Sequence, residues 1–317
     1  AAALMLGVPA PASGGAPVQA WLLPIIDLDA AVAGLEMVVA GRDLGGQLAT
    51  GVGWSPLTQR WHYRLLNLVD LGVPLRASVG WVDWADGALP GQVHERGVRG
   101  ELVWEPTLRT RWSLAAFSGQ VGSQPGRLAT RVSYGQLELQ RWLARGWPMQ
   151  VRLRARYVVG HGEPAGGGPG GSGLFQALSV VVPVELADFR LIGRLGYASG
   201  EQALPDLRFQ AGGYGDGWLR AYGPGELPGQ VLVGLNVEYR RAWLPAEELP
   251  VAGQLEMGPF LDVMGLADRQ ASQDRLSWRT SYGFTAAMPL GGLLVGMDLA
   301  WGDQGRFRSG MRLSREF

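Results

Sequence analysis

Alternation with a period of two residues constrains this chain more than any other feature. Gln150, Arg152, Arg154 and Arg156 interleave with Met149, Val151, Leu153, Ala155 and Tyr157. Successive side chains of a strand point to opposite faces, so one face here is charged and the other apolar. Segments of about ten residues with that split suit transmembrane β-strands, with a wet lumen on one side and lipid on the other. The split recurs. Arg109, Arg111 and Ser113 alternate with Leu108, Thr110, Trp112 and Leu114, and Arg190 and Arg194 with Phe189, Leu191, Leu195 and Tyr197. Gln230, Asn236, Glu238 and Arg240 alternate with Val231, Val233, Leu235, Val237 and Tyr239. Gln254, Glu256 and Asp262 do so with Leu255, Met257, Leu261 and Val263.

Applied along the chain, the pattern predicts an all-β, antiparallel transmembrane barrel over 18–317. The strands expected are 18–28, 32–41, 45–54, 59–68, 73–84, 96–105, 108–118, 127–139, 149–160, 174–184, 188–198, 228–240, 251–263, 276–288, 291–302 and 305–317. That is sixteen; fourteen is the alternative, because Pro24 and the Ile25-Ile26 pair blur the first segment. An even number leaves both termini on the periplasmic side. Short turns near Asp43, Asp70, Pro106, Glu185 and Leu290 alternate with longer connections such as 85–95, 161–173, 199–227 and 264–275. The connections 140–148 and 241–250 are read as the longer periplasmic ones. The Gly-rich segment 161–173 cannot form a packed core and reads as a surface loop.

Composition removes other classes. All 28 basic residues are Arg and balance 28 acids, with no basic block for nucleic acid. There is no Cys, so no disulfide and no thiolate metal site. His62, His94 and His161 are scattered and no G-x-S-x-G elbow occurs, so neither a metal centre, a cofactor nor an enzyme is expected. The 49 Gly and 13 Trp suit a barrel's turns and interfacial girdles. No apolar run is long enough for a transmembrane helix. Residues 1–17, rich in Ala, Leu and Pro, read as a signal-peptide remnant or a disordered tail.

One loop carries a motif: Gly212-Gly213, then Leu219-Arg220-Ala221-Tyr222. It is followed by a strand with Glu238 and another with Phe260-Leu261-Asp262. This order resembles the BamA/TamA superfamily of outer-membrane translocase barrels, whose V-R-G-F/Y loop folds back into the lumen. Ala221 stands where the family has Gly, and Met264 where its F-x-D-x-G ends. The resemblance implies a loop locked by Arg220 against Glu238 and Asp262. It also implies an outer-membrane location and unfolded polypeptide substrates, here without the periplasmic domains such barrels carry. The terminal Phe317 resembles the signal that ends outer-membrane barrels.

Physical chemistry gives the lock its own rationale. An Arg carried into a lumen stays charged and presents a planar fork that carboxylates accept. Glu238 and Asp262 share the polar parity of their strands. The competing reading is a passive pore or structural barrel, monomeric in outer-membrane lipid, whose many lumenal Arg side chains favour anions.

Overall fold

The computed structural model describes residues 19–27, 32–41, 46–55, 60–70, 75–85, 94–122, 130–164, 172–200, 208–212, 219–223, 226–244, 255–267, 276–290 and 293–315. The N-terminal segment 1–17, Gly213 and Phe317 lie outside them.

Eleven strands run first: β1 (Gln19–Asp27), β2 (Val32–Gly41), β3 (Gly46–Ser55), β4 (Arg60–Asp70), β5 (Leu75–Ala85), β6 (His94–Thr107), β7 (Thr110–Gly122), β8 (Thr130–Gly146), β9 (Met149–Pro164), β10 (Gly173–Leu186) and β11 (Phe189–Ser199). The long connection that follows holds two short strands, β12 (Phe209–Gln210) and β13 (Pro228–Gly229), paired to each other. The main sheet resumes with β14 (Val231–Tyr239), β15 (Arg241–Leu244), β16 (Leu255–Ala267), β17 (Ser277–Leu290), β18 (Leu293–Gly302) and β19 (Phe307–Arg315). Each strand of the main sheet pairs antiparallel with the next in sequence. β14 and β15 pair in succession with β16, as one strand interrupted at Arg240. An all-β meander is what local alternation demands, because each hairpin buries one face only when its neighbour continues it.

Several edges differ from the sequence reading: β7 runs on to Gly122, β9 continues to Pro164 into the segment read as the 161–173 loop, β16 runs on to Ala267, and three further differences fall at connections. The segment 140–148 is not a long connection. β8 continues to Gly146 and turns at Trp147-Pro148. Trp142-Leu143 breaks the alternation there, and a bulge between Trp142 and Ala144 absorbs the extra residue while pairing continues. Likewise 241–250 opens with β15 rather than loop. At the other end β14 starts at Val231, because Pro228-Gly229 pairs with β12 inside the long connection instead of extending the strand.

The two faces differ as the parity requires. On β8, Thr130, Val132, Tyr134, Gln136 and Glu138 are buried while Leu137 is 44% exposed. Leu114, Val159, Leu195, Leu235, Leu261, Tyr282 and Met297 are likewise exposed on the other face. An apolar sheet face this extensive is far beyond the scattered hydrophobics of a water-soluble surface and belongs against lipid.

The inner face is not uniformly polar, and this corrects the picture of a charged wall lining a wet lumen. One cluster joins Val82, Phe117, Val132, Tyr134, Val158, Phe175, Leu232, Phe260, Met264 and Ala300 with Phe209, Ala211, Leu219, Ala221 and Tyr222 of the long connection. Its members come from β5 through β18, so the sheet curls around it. The cause is the connection itself. A loop packed against the inner wall needs apolar partners there, so both faces of the same strands are apolar at that level.

Candidate functional site

The connection between β11 and β14 packs against the inner face of the sheet. Within it, Leu219 forms a parallel bridge with Gly212, and its N–H donates to the Ala211 carbonyl at 3.1 Å. Gly212 is required by space: a Cβ there would lie 1.9 Å from the Gly223 carbonyl oxygen. The Tyr222 N–H closes a turn on the Leu219 carbonyl at 3.0 Å. That turn points Arg220 at the wall, with its side chain 0% exposed.

Arg220 meets three carboxylates. Its Nη2 lies 2.5 Å from Glu238 Oε1 and 3.1 Å from Asp262 Oδ1, and its Nη1 lies 3.5 Å from Asp298 Oδ1. The Arg220 backbone N–H also donates to Asp262 Oδ2 at 3.3 Å. The guanidinium carbon sits 3.8 Å from the Phe260 ring centroid, a cation–π contact. The acids are held in turn: Asn236 Nδ2 donates to Asp262 at 2.9 Å, and Arg240 pairs with Glu238. Glu238 and Asn236 lie on β14, Asp262 and Phe260 on β16, and Asp298 on β18. Inward parity on three strands, β14 and its neighbour β16 and, beyond β17, β18, therefore converges on one cation.

The site contains residues that the motif did not reveal. Asp298 is the sole acid of β18 and shares the inward parity of Gly296, Ala300 and Gly302, a signal available in the sequence but lacking any family motif. Ser281 accepts the Ala221 N–H at 3.0 Å. Gly302 has a structural reason: a Cβ there would come within 2.8 Å of the Ala221 Cβ. Above this level Tyr222 Oη donates to Asp303 at 3.2 Å, Arg308 donates to the Tyr222 carbonyl, and Arg306 pairs with Glu226. The connection is thus fastened to β14, β16, β17, β18, β19 and the β18–β19 turn.

Towards the opposite wall it joins the apolar cluster. There Tyr134 stacks on Phe117 with centroids 5.2 Å apart and donates to the buried Glu95 at 2.7 Å. Glu138 sits between Arg154 and Arg156, each with its Nε 2.9 Å from the carboxylate. Arg152 lies over the Trp142 ring at 5.0 Å. Arg190, Arg194 and Arg240 occupy the inward parity of β11 and of the β14–β15 line, and Arg194 donates to Asn236 at 3.2 Å. Among the described residues no cluster of acids and histidines could hold a metal ion.

No protein family matches the chain by sequence, and no curated protein matches it. Solved structures do. Pseudomonas aeruginosa OccK10 (OpdN) superposes with a TM-score of 0.55 at 13% identity, over 99% of this chain and 92% of that one. Pseudomonas aeruginosa OpdQ gives 0.53 at 12% identity, over 95% and 87%. Acinetobacter baumannii OccAB3 gives 0.51 at 10% identity, over 95% and 87%. These are outer-membrane porins, not translocases, and they correct the BamA/TamA resemblance together with the insertion or translocation role and polypeptide substrates it implied. The reason is physical: Gly-Gly, x-Arg-x-Tyr and Phe-x-Asp are short patterns that any barrel with an inward-fastened loop can contain. The chain has the fold of an outer-membrane β-barrel porin, and with its apolar outer face it resides in the outer membrane.

Proposed function

We propose that the chain is a passive, monomeric, non-enzymatic outer-membrane channel, one barrel over 18–317. It closes as sixteen strands by pairing of β1 with β19, counting β14 and β15 as one. The β11–β14 connection narrows the lumen and is held there by Arg220 against Glu238, Asp262 and Asp298. Gly212 serves its turn, Leu219, Ala221 and Tyr222 seat it, and Phe260 backs the guanidinium. The long connections 86–93, 123–129, 200–230 and 268–276 face outward, and the two-residue turns, with the connection 245–254, face the periplasm.

The observation that carries a channel reading is the inward row Arg152, Arg154 and Arg156, offset in part by Glu138 on β8 and Glu185 on β10, with more inward Arg on β11 and β14–β15. Positive charge on a low-dielectric wall concentrates anions and excludes cations. Purified protein in planar bilayers under a KCl gradient is expected to give an anion-selective reversal potential. Arg152→Gln, Arg154→Gln and Arg156→Gln together should move it towards neutrality. Cation selectivity in the parent, or selectivity indifferent to the three changes, refutes this.

The packed cluster between loop and wall favours a second reading, a structural barrel with no passage. It predicts silence in bilayers both for the parent and for variants that release the loop. Closure is tested separately: cysteine pairs between β1 and β19 should crosslink in membranes, and crosslinking of β2 with β19 would overturn the strand count.

A further inference from the structure

The lipid-facing surface has two ends that differ in charge. At the end of the long connections, outward or rim arginines face acids. Arg96 lies 3.7 Å from Asp83, Arg306 pairs with Glu226, and Arg131 is the cross-strand neighbour of Glu163. At the opposite end the pattern changes on the outer face. Arg111 lies 3.8 Å from Glu105 on the inward parity there, whereas the outward Arg141 and Arg241 are exposed, and among the described residues no acid pairs with either.

Both sit in the same local setting. Trp104 and Trp112 are cross-strand partners on the outer face, Trp104 being 47% exposed. Thr110, one outward row below Trp112, is the partner of Arg141. On the far part of the sheet Phe189 and Tyr239 are cross-strand partners with ring centroids 5.1 Å apart. Arg241 follows Tyr239 by one outward row and pairs with the exposed Met257. Two residues along a strand advance about 7 Å, so each guanidinium lies roughly that far beyond an aromatic pair. The aromatic pairs mark the level of an interfacial girdle. Just beyond it come the phosphates of the lipid headgroups.

We propose that Arg141 and Arg241 are headgroup sites for anionic phospholipid in the periplasmic leaflet. The aromatic pair takes the glycerol and upper acyl region, and the guanidinium takes the phosphate through its fork of donors. Unpaired cations beside apolar, lipid-facing surface need anionic partners, and two copies of one arrangement on separate hairpins make a chance placement a poor account. This rests on the outer-membrane barrel reading and on its orientation.

The test is native mass spectrometry of the whole chain released from micelles holding equal phosphatidylglycerol and phosphatidylcholine. Heat-modifiable mobility on gels, recorded first, reports whether a barrel has formed, so failure of that reading appears before any lipid is scored. The parent is expected to retain phosphatidylglycerol in preference, by about fivefold per arginine. Arg141→Gln with Arg241→Gln should abolish the preference, Lys at both positions should keep much of it, and Arg131→Gln at the other rim should leave it unchanged. Equal retention of the two lipids by the parent overturns the proposal without need of any variant. So does an undiminished preference in the folded double Gln variant.

Discussion

Replacing Arg220 by Ala removes the one cation that three buried carboxylates share. Charge centres about 4 Å apart at an effective dielectric of ~20 attract by ~4 kcal/mol each before desolvation is counted. Desolvating the ions offsets much of that gain, and removing one partner of a buried pair leaves a net cost of about 3–5 kcal/mol. The sheet should survive, because β14, β16 and β18 are joined by backbone ladders the change does not touch. The cost falls on the docked loop. What remains there includes the Ala221 N–H on Ser281, the backbone N–H of residue 220 on Asp262, the contacts of Tyr222 with Asp303 and Arg308, the Arg306–Glu226 pair and the burial of Leu219 and Tyr222. A shift of 3 kcal/mol raises the ratio of released to docked loop by about 10²-fold. In planar bilayers Arg220→Ala should show more frequent or larger openings, and limited proteolysis should cut the 199–227 connection faster while heat-modifiability persists. Asp262→Ala should resemble it, and the double variant should be less than additive. Arg220→Met combined with Asp262→Asn and Asp298→Asn, which leaves Glu238 paired with Arg240, should restore the docked loop, since the two acids that lose Arg220 are neutralised. Openings and cleavage equal to the parent in Arg220→Ala would refute the lock. A neutralised triple variant as open as Arg220→Ala would mean that packing on Phe260, not charge, holds the loop.

Gly302→Val should displace the loop by steric means, since even a Cβ would meet Ala221 at 2.8 Å, and its bilayer trace should match Arg220→Ala. Tyr222→Phe loses the hydrogen bond to Asp303 and should loosen the loop by only about 1 kcal/mol, seen as a modest rise in cleavage rate. Burial acts upward on the Asp303 carboxyl, but the hydroxyl and amide of Thr280 and the Tyr222 hydroxyl hold it below the ordinary carboxylate range. The tether it makes is therefore complete above pH ~4 and is lost as pH falls through that lowered value. Loop cleavage by an acid-active protease should rise only in that acidic window, and Asp303→Asn should remove the step. For orientation, a cysteine at Gly166 should react with an impermeant reagent on intact cells and one at Ala187 should not; the reverse pattern would invert the barrel.

Much of the architecture was legible because a strand's information is local. Alternation over ten residues places the strand and tells which side chains share a face, so β9 and β16 could be read with no partner in view. The same parity set Glu238 and Asp262 on the inward side of their strands. Asp298 was equally well placed, yet no motif pointed to it. Only the folded sheet reveals that β14, β16 and β18 bring those three acids to one guanidinium. Parity also cannot say what a face touches. Val132, Tyr134 and Glu138 share one face of β8, but the first two pack in the apolar cluster and the third binds Arg154 and Arg156. The difference lies in how deep the β11–β14 connection enters, a tertiary fact. The segment 140–148 reads as a connection, whereas pairing with β9 carries the chain through it by a bulge between Trp142 and Ala144. The kind of barrel was the least legible of all, because loop motifs a few residues long recur by chance while the path of the whole meander does not. The sequence by itself determined the strands and their two faces, since those depend on neighbours two residues apart. The tertiary structure decided what fills the lumen and which charges meet, since those depend on strands that approach only when the sheet curls.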